Sequence, residues 1–289
     1  MQKIQNASLG YYNGTIKPLN ELLIPVTDRA VYFGDGVYEV VFAVNNKPFA
    51  IDEHIERFFN SCKLLNINFT KSANELKNII LNLLNQTAGN YHKIYWQVSR
   101  GSAIRNHSFN KELTPNLLIM ITPEKLTDMN KIEYDLISVE DTRFLHCNIK
   151  TLNLIPSVLA SQKAKENKAQ EAVLFRNGFV TECAHSNISI LKGNTLQTAP
   201  ANNLILPGVT RKHLIEICSK LNLKIVEQPF TLNQLKNCDE AIVSASGILF
   251  VRAKSIDSKK IGGKNKTIIK QIQKAYENKI IKECGALLY

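Results

Sequence analysis

Asn148-Ile149-Lys150-Thr151-Leu152-Asn153 is a short, largely uncharged run with one lysine near its middle. A lone ammonium is oddly placed there for a surface charge. Partial desolvation lowers a lysine pKa and frees an amine able to attack a carbonyl and form a Schiff base. Lys150 is therefore the candidate nucleophile. Two segments upstream carry the same kind of signal: Phe33-Gly34-Asp35-Gly36-Val37-Tyr38-Glu39, and Glu53-His54-Ile55-Glu56-Arg57. Downstream, Phe179-Val180-Thr181-Glu182 ends an alternating apolar stretch on a carboxylate.

The 289 residues suffice for one large or two ordinary domains. Apolar content of 44% and charge of 21% are those of a globular protein. No apolar run approaches the ~20 residues of a membrane span. The polar start Met1–Asn6 lacks the apolar core of a signal peptide, so a cytoplasmic protein is expected. The six cysteines show no CxxC pairing and the six histidines no metal-ligand spacing. Free thiols and no metal are the expectation. The net charge of +11 raises the possibility of a nucleic-acid partner. The lysines are dispersed, however, and the strongest basic face (Lys266, Lys270, Lys274) reads more simply as solvated helix. Small anionic ligands suit such a chain better, and neither nucleic acid nor a membrane is expected as partner.

Pattern reading gives an α+β N-terminal domain over 1–122. A hairpin spans 9–17 about Asn13-Gly14, and strands fall at 37–44, 91–99 and 116–121. A helix capped by Asp52 runs to about Leu65, and a second spans about 74–86. Residues 123–129 read as a linker. A β-rich domain over 130–289 follows, with strands at 131–140, 143–149, 171–176, 179–182, 186–191, 195–198, 223–229, 240–245 and 248–254. Helices are expected near 155–167, 209–221, 231–237 and 265–282. Many strands with few helices point to a β-barrel-like second domain. Gly208-Val209-Thr210 opens an amphipathic helix whose free amides suit a phosphate, with Thr210 either adding its hydroxyl or serving as a cap.

Taken together, the order and spacing of these segments resemble the fold-type IV pyridoxal phosphate aminotransferases, and most closely their D-amino acid branch. Asp28-Arg29, Arg105-Asn106-His107 and Pro200-Ala201-Asn202-Asn203 through Arg211 complete the matching set, which spans about Tyr12 to Ile280. The resemblance implies a two-domain α+β fold, with a smaller N-terminal domain and a larger barrel-like one. It implies pyridoxal 5'-phosphate as cofactor, joined to Lys150 as a Schiff base. Glu182 would pair with the pyridine nitrogen. Arg57, the amides of Val209 and Thr210, and Ser246 would hold the phosphate, and Leu206 would pack on the ring. Tyr38, Arg105 and His107 would receive the substrate α-carboxylate, the last two reaching in from a second subunit of a homodimer. The implied reaction turns D-alanine and 2-oxoglutarate into pyruvate and D-glutamate.

Three departures bear on the substrate side chain. Cys183-Ala184-His185-Ser186 stands where the family carries a glycine- and serine-rich segment. Gly247-Ile248-Leu249-Phe250 is more apolar than the family's version, and Phe42 replaces a frequent lysine. Branched-chain L-amino acid aminotransferase and aminodeoxychorismate lyase share the fold and remain the alternatives, although the Arg105-x-His107 pair favours the D-amino acid reading. A basic nucleic-acid-binding protein is a reading from another class; it accounts for the charge but not for Lys150, Glu182 and Arg57.

Overall fold

The structure is a computed structural model that describes residues 8–286 and 289. The polar start Met1–Asn6, expected not to be a signal, lies outside them. Two compact units emerge. One holds residues 8–126, Ile149–Asn153 and 280–286; the other holds 127–148, 154–279 and Tyr289.

In the first unit the strands are β1 (Leu9–Tyr12), β2 (Thr15–Pro18), β3 (Gly36–Val44), β4 (Lys47–Pro48), β5 (Tyr91–Ser99) and β6 (Asn116–Pro123). They form one six-stranded antiparallel sheet in the order β2-β1-β6-β5-β3-β4. Its helices are α1 (Arg29–Phe33), α2 (Ile51–Leu64) and α3 (Ala73–Leu84). The alternation of β5 puts Ile94, Trp96 and Val98 on one buried face. They pack with Ile55, Phe58 and Cys62 of α2 and Leu76, Ile80 and Leu83 of α3 in a single core. Truncating a core aromatic such as Trp96 costs ~3–5 kcal/mol.

α3 is fixed at its start by a capping box between Ser72 and Glu75. The start of α2 differs from expectation. Its cap is Ala50, held at φ 53° with its amide donating to Glu283 Oε1 at 2.6 Å. Asp52 lies inside the first turn, where a carboxylate still favours the helix dipole.

The second unit carries β7 (Glu133–Glu140), α4 (Ile155–Glu166), β8 (Glu171–Arg176), β9 (Phe179–Cys183), β10 (Asn187–Lys192), β11 (Thr195–Thr198), α5 (Val209–Lys220), β12 (Lys224–Glu227), β13 (Phe230–Thr231), α6 (Leu232–Lys236), β14 (Glu240–Ala245), β15 (Leu249–Ile256) and β16 (Lys259–Lys260). The last helix, α7, spans Lys266–Cys284. The strands build a ten-stranded mixed sheet running from β12 to β13, with β16 paired to β15. The path does not close on itself, so the expected barrel-like sheet is a half-barrel. Residues 143–149, expected as a strand, form none. The Cys147 amide bonds the Asn203 carbonyl instead, and Arg143 before it is drawn to a buried carboxylate described below. No helix among the described residues is long and apolar enough to cross a membrane.

Candidate active site

In the first unit, the Lys150 segment lies along the start of β3. The Tyr38 amide donates to the Lys150 carbonyl at 2.9 Å, and the Leu152 amide to the Gly36 carbonyl at 3.0 Å. Gly36 permits this approach, because a Cβ there would stand 2.5 Å from the Val98 carbonyl oxygen and 2.8 Å from Leu152 Cδ1. The Lys150 amide donates to Ser61 Oγ at 3.3 Å. Its Nζ sits 4.2 Å from the centroid of the Tyr38 ring. Tyr38 in turn stacks on Tyr95, with centroids 5.5 Å apart. Among the described residues no hydrogen bond or ion pair ties Nζ down. The amine is held over an aromatic face, an arrangement that orients it without an anionic partner.

β3 turns its next side chain, Glu39, to the opposite face. Glu39 is fully buried. It accepts from Arg57 Nε at 2.7 Å, from Arg57 Nη2 at 2.8 Å and from His54 Nδ1 at 2.7 Å. His54, Arg57 and Ser61 recur at helical spacing on one face of α2, so a single helix face meets both Glu39 and the Lys150 backbone. Burial alone would raise the Glu39 carboxyl, but Arg57 and His54 more than offset it and bring it down to about 2. Burial lowers His54 below its ordinary value, against the pull of Glu39. A neutral ring can donate to Glu39 from Nδ1.

Arg105 and His107 lie in the loop between β5 and β6, both exposed. The structure brings them together around Phe33. The Arg105 guanidinium stands 5.1 Å from that ring, and the His107 ring 5.2 Å from it. Phe42, which stands in place of the family's lysine, is spent on packing with Phe49, the ring centroids 5.2 Å apart.

The second unit holds a carboxylate cluster of its own. β9 places Glu182 in the interior. Arg143 Nη1 donates to its Oε1. Asn187 Nδ2 donates to Oε2 at 2.9 Å, and the Leu206 amide reaches both oxygens at 3.2 and 3.1 Å. Arg143 is itself oriented by Asp141, Nε to Oδ1 at 3.0 Å and Nη2 to Oδ2 at 2.9 Å, and Thr181 Oγ1 donates to Asp141 Oδ2 at 2.9 Å. Burial pushes the Glu182 carboxyl up to about 7, although Arg143 and the Leu206 amide oppose the rise. The three donors occupy most, but not all, of the roughly four acceptor positions on a carboxylate.

α5 starts just after Leu206. Gly208 caps it with no side-chain hydrogen bond, so the amides of the first turn, those of Val209 and Thr210 among them, receive no side-chain cap. Thr210 is thus not the cap. Gly208 is required here by packing, since a Cβ would fall 2.1 Å from Asn187 Oδ1. Ser246 lies in the turn between β14 and β15. His185, half exposed, is held by Nδ1 against Glu171 Oε2 at 3.0 Å, where Ser186 Oγ also donates at 2.7 Å. In the apolar stretch that follows Ser246, Phe250 goes into the core against Tyr276 at 4.2 Å.

Sequence reading gave no role to Glu39, Arg143, Asp141 or Asn187. The available signals were the Asp141-Thr142-Arg143 charges at the break between two expected strands, and Glu39 beside Tyr38 in an otherwise apolar strand. Each unit offers groups of a kind that pyridoxal 5'-phosphate needs. The start of α5 offers side-chain-free amides for a phosphate, and Glu182 offers an acceptor for a ring N–H. Lys150 offers an amine with no ionic partner among the described residues.

Comparison with known proteins gives the family. The family Amino-transferase class IV matches residues 36–256. The D-alanine aminotransferase of Bacillus licheniformis is 35% identical over 274 residues, covering 94% of this chain and 97% of that protein. The D-alanine aminotransferase of Listeria innocua is 34% identical over 283 residues, covering 96% and 98%. In three dimensions, the branched-chain aminotransferase of Thermoproteus uzoniensis, solved with norvaline, superposes with a TM-score of 0.87 at 21% identity, covering 98% of this chain and all of that one.

Proposed function

The chain belongs to the class IV amino-transferase family, and we propose that it uses pyridoxal 5'-phosphate to move the amino group of D-alanine to 2-oxoglutarate, giving pyruvate and D-glutamate. The observation that carries this reading is Lys150, whose Nζ is held over Tyr38 with no anionic partner among the described residues. The D-alanine aminotransferases it resembles support the choice of donor. The branched-chain likeness, at 21% identity, bears on the fold alone.

When bound, the cofactor supplies an electron sink that makes the substrate Cα proton acidic. The chain's own residues do the rest. Lys150 Nζ would take the Cα proton as a base and hold it for return as an acid. Tyr38, carrying that amine on its ring face, shares with Arg105 and His107 the task of holding the substrate α-carboxylate. Glu182 accepts a ring N–H on its remaining acceptor position. The added positive charge offsets the burial penalty and keeps the carboxyl ionised at neutral pH. Arg143, Asn187 and the Leu206 amide fix the direction of that carboxylate, and the Leu206 side chain covers a ring face. The amides of Val209 and Thr210 bind phosphate with the α5 dipole behind them. Ser246 and Arg57 complete the phosphate set, with Glu39 locking the Arg57 fork in place.

A homodimer is part of the same reading. Large apolar side chains stand exposed at Leu23, Val26 and Ile104, and on α4 at Ile155, Val158 and Leu159. Such patches mark protein contact surfaces. The six free cysteines accord with a cytoplasmic location.

The test is a steady-state assay of pyruvate formation from D-alanine with 2-oxoglutarate. The wild type is expected to turn over and Lys150→Ala to lose nearly all of that turnover. Wild-type rates in Lys150→Ala would overturn the assignment.

A further inference from the structure

Arg29 is nine-tenths buried or more, yet no step above uses it. It is the first residue of α1, and each of its three guanidinium nitrogens donates a hydrogen bond. Nε donates to Asp35 Oδ2 at 2.8 Å, Nη1 to the Asn106 carbonyl at 2.6 Å and Nη2 to the His107 carbonyl at 3.3 Å. Those two carbonyls bracket residue 107, so holding both fixes the backbone on each side of His107. The Arg29 amide adds a bond to the Gly101 carbonyl at 3.0 Å, at the start of the same loop.

One helical turn on, Phe33 stands against the side chains of that loop. Arg29 Cζ is 4.8 Å from the Phe33 ring, and the same ring meets Arg105 and His107. The opposite side of the clamp is also closed. Asp35 is held by Arg100 through Nε at 2.9 Å and Nη2 at 3.0 Å, and the Arg100 guanidinium lies 3.7 Å from the ring of Phe109. An exposed loop is thereby pinned at residues 106, 107 and 109 by buried cations of the scaffold.

We infer that Arg29, with Phe33, is a positioning residue for substrate binding: it sets the loop so that Arg105 and His107 present one fixed anion-binding pair to an α-carboxylate. The inference rests on the role proposed above for Arg105 and His107. It also gives Asp28-Arg29, a matching segment without a role in the sequence, a physical purpose. A planar fork is needed, because a lysine has one nitrogen and cannot reach Asp35 and two carbonyls from one plane.

The experiment uses the cofactor-loaded enzyme with Arg29→Lys and Phe33→Leu. The KM for D-alanine and the KM for 2-oxoglutarate are both expected to rise about tenfold or more, since both ligands carry the α-carboxylate, while kcat falls less than about threefold. Cofactor affinity, read by absorbance titration, stays at the wild-type value. Amide hydrogen exchange over 103–109 speeds up in Arg29→Lys and is unchanged in the sheet. Phe33 is only partly buried, so its variant decides the matter if Arg29→Lys does not fold. Unchanged KM values in the folded variants, or equal losses of kcat and cofactor affinity without a KM change, would overturn the inference. Absence of D-amino acid turnover in the wild type would instead overturn the reading beneath it.

Discussion

Glu39 and Arg57 form a buried bidentate pair, Oε1 to Nε at 2.7 Å and Oε2 to Nη2 at 2.8 Å, on adjoining faces of β3 and α2. Planar pairing of this kind fixes direction as well as position. It couples an arginine proposed for phosphate to the strand that carries Tyr38, so that arginine and the tyrosine proposed for the substrate share one rigid support.

Glu39→Gln is expected to destabilise the fold by about 3 kcal/mol at pH 7, because it strips a buried arginine of its counter-charge. The folded carboxyl titrates at about 2, below its ordinary 4.5. Its stabilisation is therefore complete above pH 4.5 and is lost as the pH falls toward 2. Urea unfolding of the two proteins at pH 7, 5 and 3 checks this. The gap between them should be constant from 7 to 5 and smaller at 3; a gap independent of pH contradicts the account.

Glu182→Gln is expected to keep the cofactor but slow the D-alanine half-reaction by about a hundredfold, since the ring nitrogen loses its anionic partner. Single-turnover rates and a cofactor titration separate the two effects. The carboxyl also leaves a pH signature in the cofactor-free protein. Its folded value, about 7, lies above its ordinary 4.5. Its contribution to stability is thus fully present below pH 4.5 and is lost as the pH rises through 7. Melting of wild type relative to Glu182→Gln should fall across that window, and a flat difference would count against the raised value.

Gly208→Ala meets no backbone strain, with φ at −64°, but its Cβ would lie 2.1 Å from Asn187 Oδ1. Asn187 must move, and it is a donor to Glu182. A loss of ~1–3 kcal/mol in stability is expected from the overpacking, with weaker cofactor binding. Gly247→Ala, where a Cβ meets nothing within 4 Å, is the control and should melt within a degree or two of wild type. Equal melting of the two variants would show that the Asn187 contact is not needed.

The apolar face of α4 gives a fourth expectation. Light scattering should report about twice the 32.6 kDa of one chain. Val158→Glu, which sets a charge among Ile155 and Leu159, should shift the mass toward one chain and lower turnover with it. A mass of one chain in the wild type would remove the dimer from the account.

Much of this architecture could be read from local pattern. The β3 run, the α2 periodicity through Ile55, Phe58 and Cys62, and the glycine turn at 13–14 are short-range signals, and each element stands where expected. Lys150, Glu182 and the α5 start stand out in the sequence because their motifs are contiguous. The failures share one cause, which is that partners distant in sequence decide them. Residues 143–149 carry Phe144, Leu145 and Ile149 in one short run, yet Arg143 is claimed by Glu182 and Cys147 by Asn203. Asp52 looks like a cap, but the helix starts earlier, at Ile51, after Ala50, whose amide is held by the sequence-distant Glu283. Glu39 had no visible role because its partners lie 15 and 18 positions away on another element.

The absorbance spectrum of the purified protein, before and after D-alanine is added with no acceptor, tests the central claim most directly. The account predicts a yellow protein whose band is replaced by that of the pyridoxamine form as pyruvate appears. A yellow protein that ignores D-alanine but converts with L-leucine or L-valine, or a protein that takes up no cofactor even on reconstitution, would contradict it.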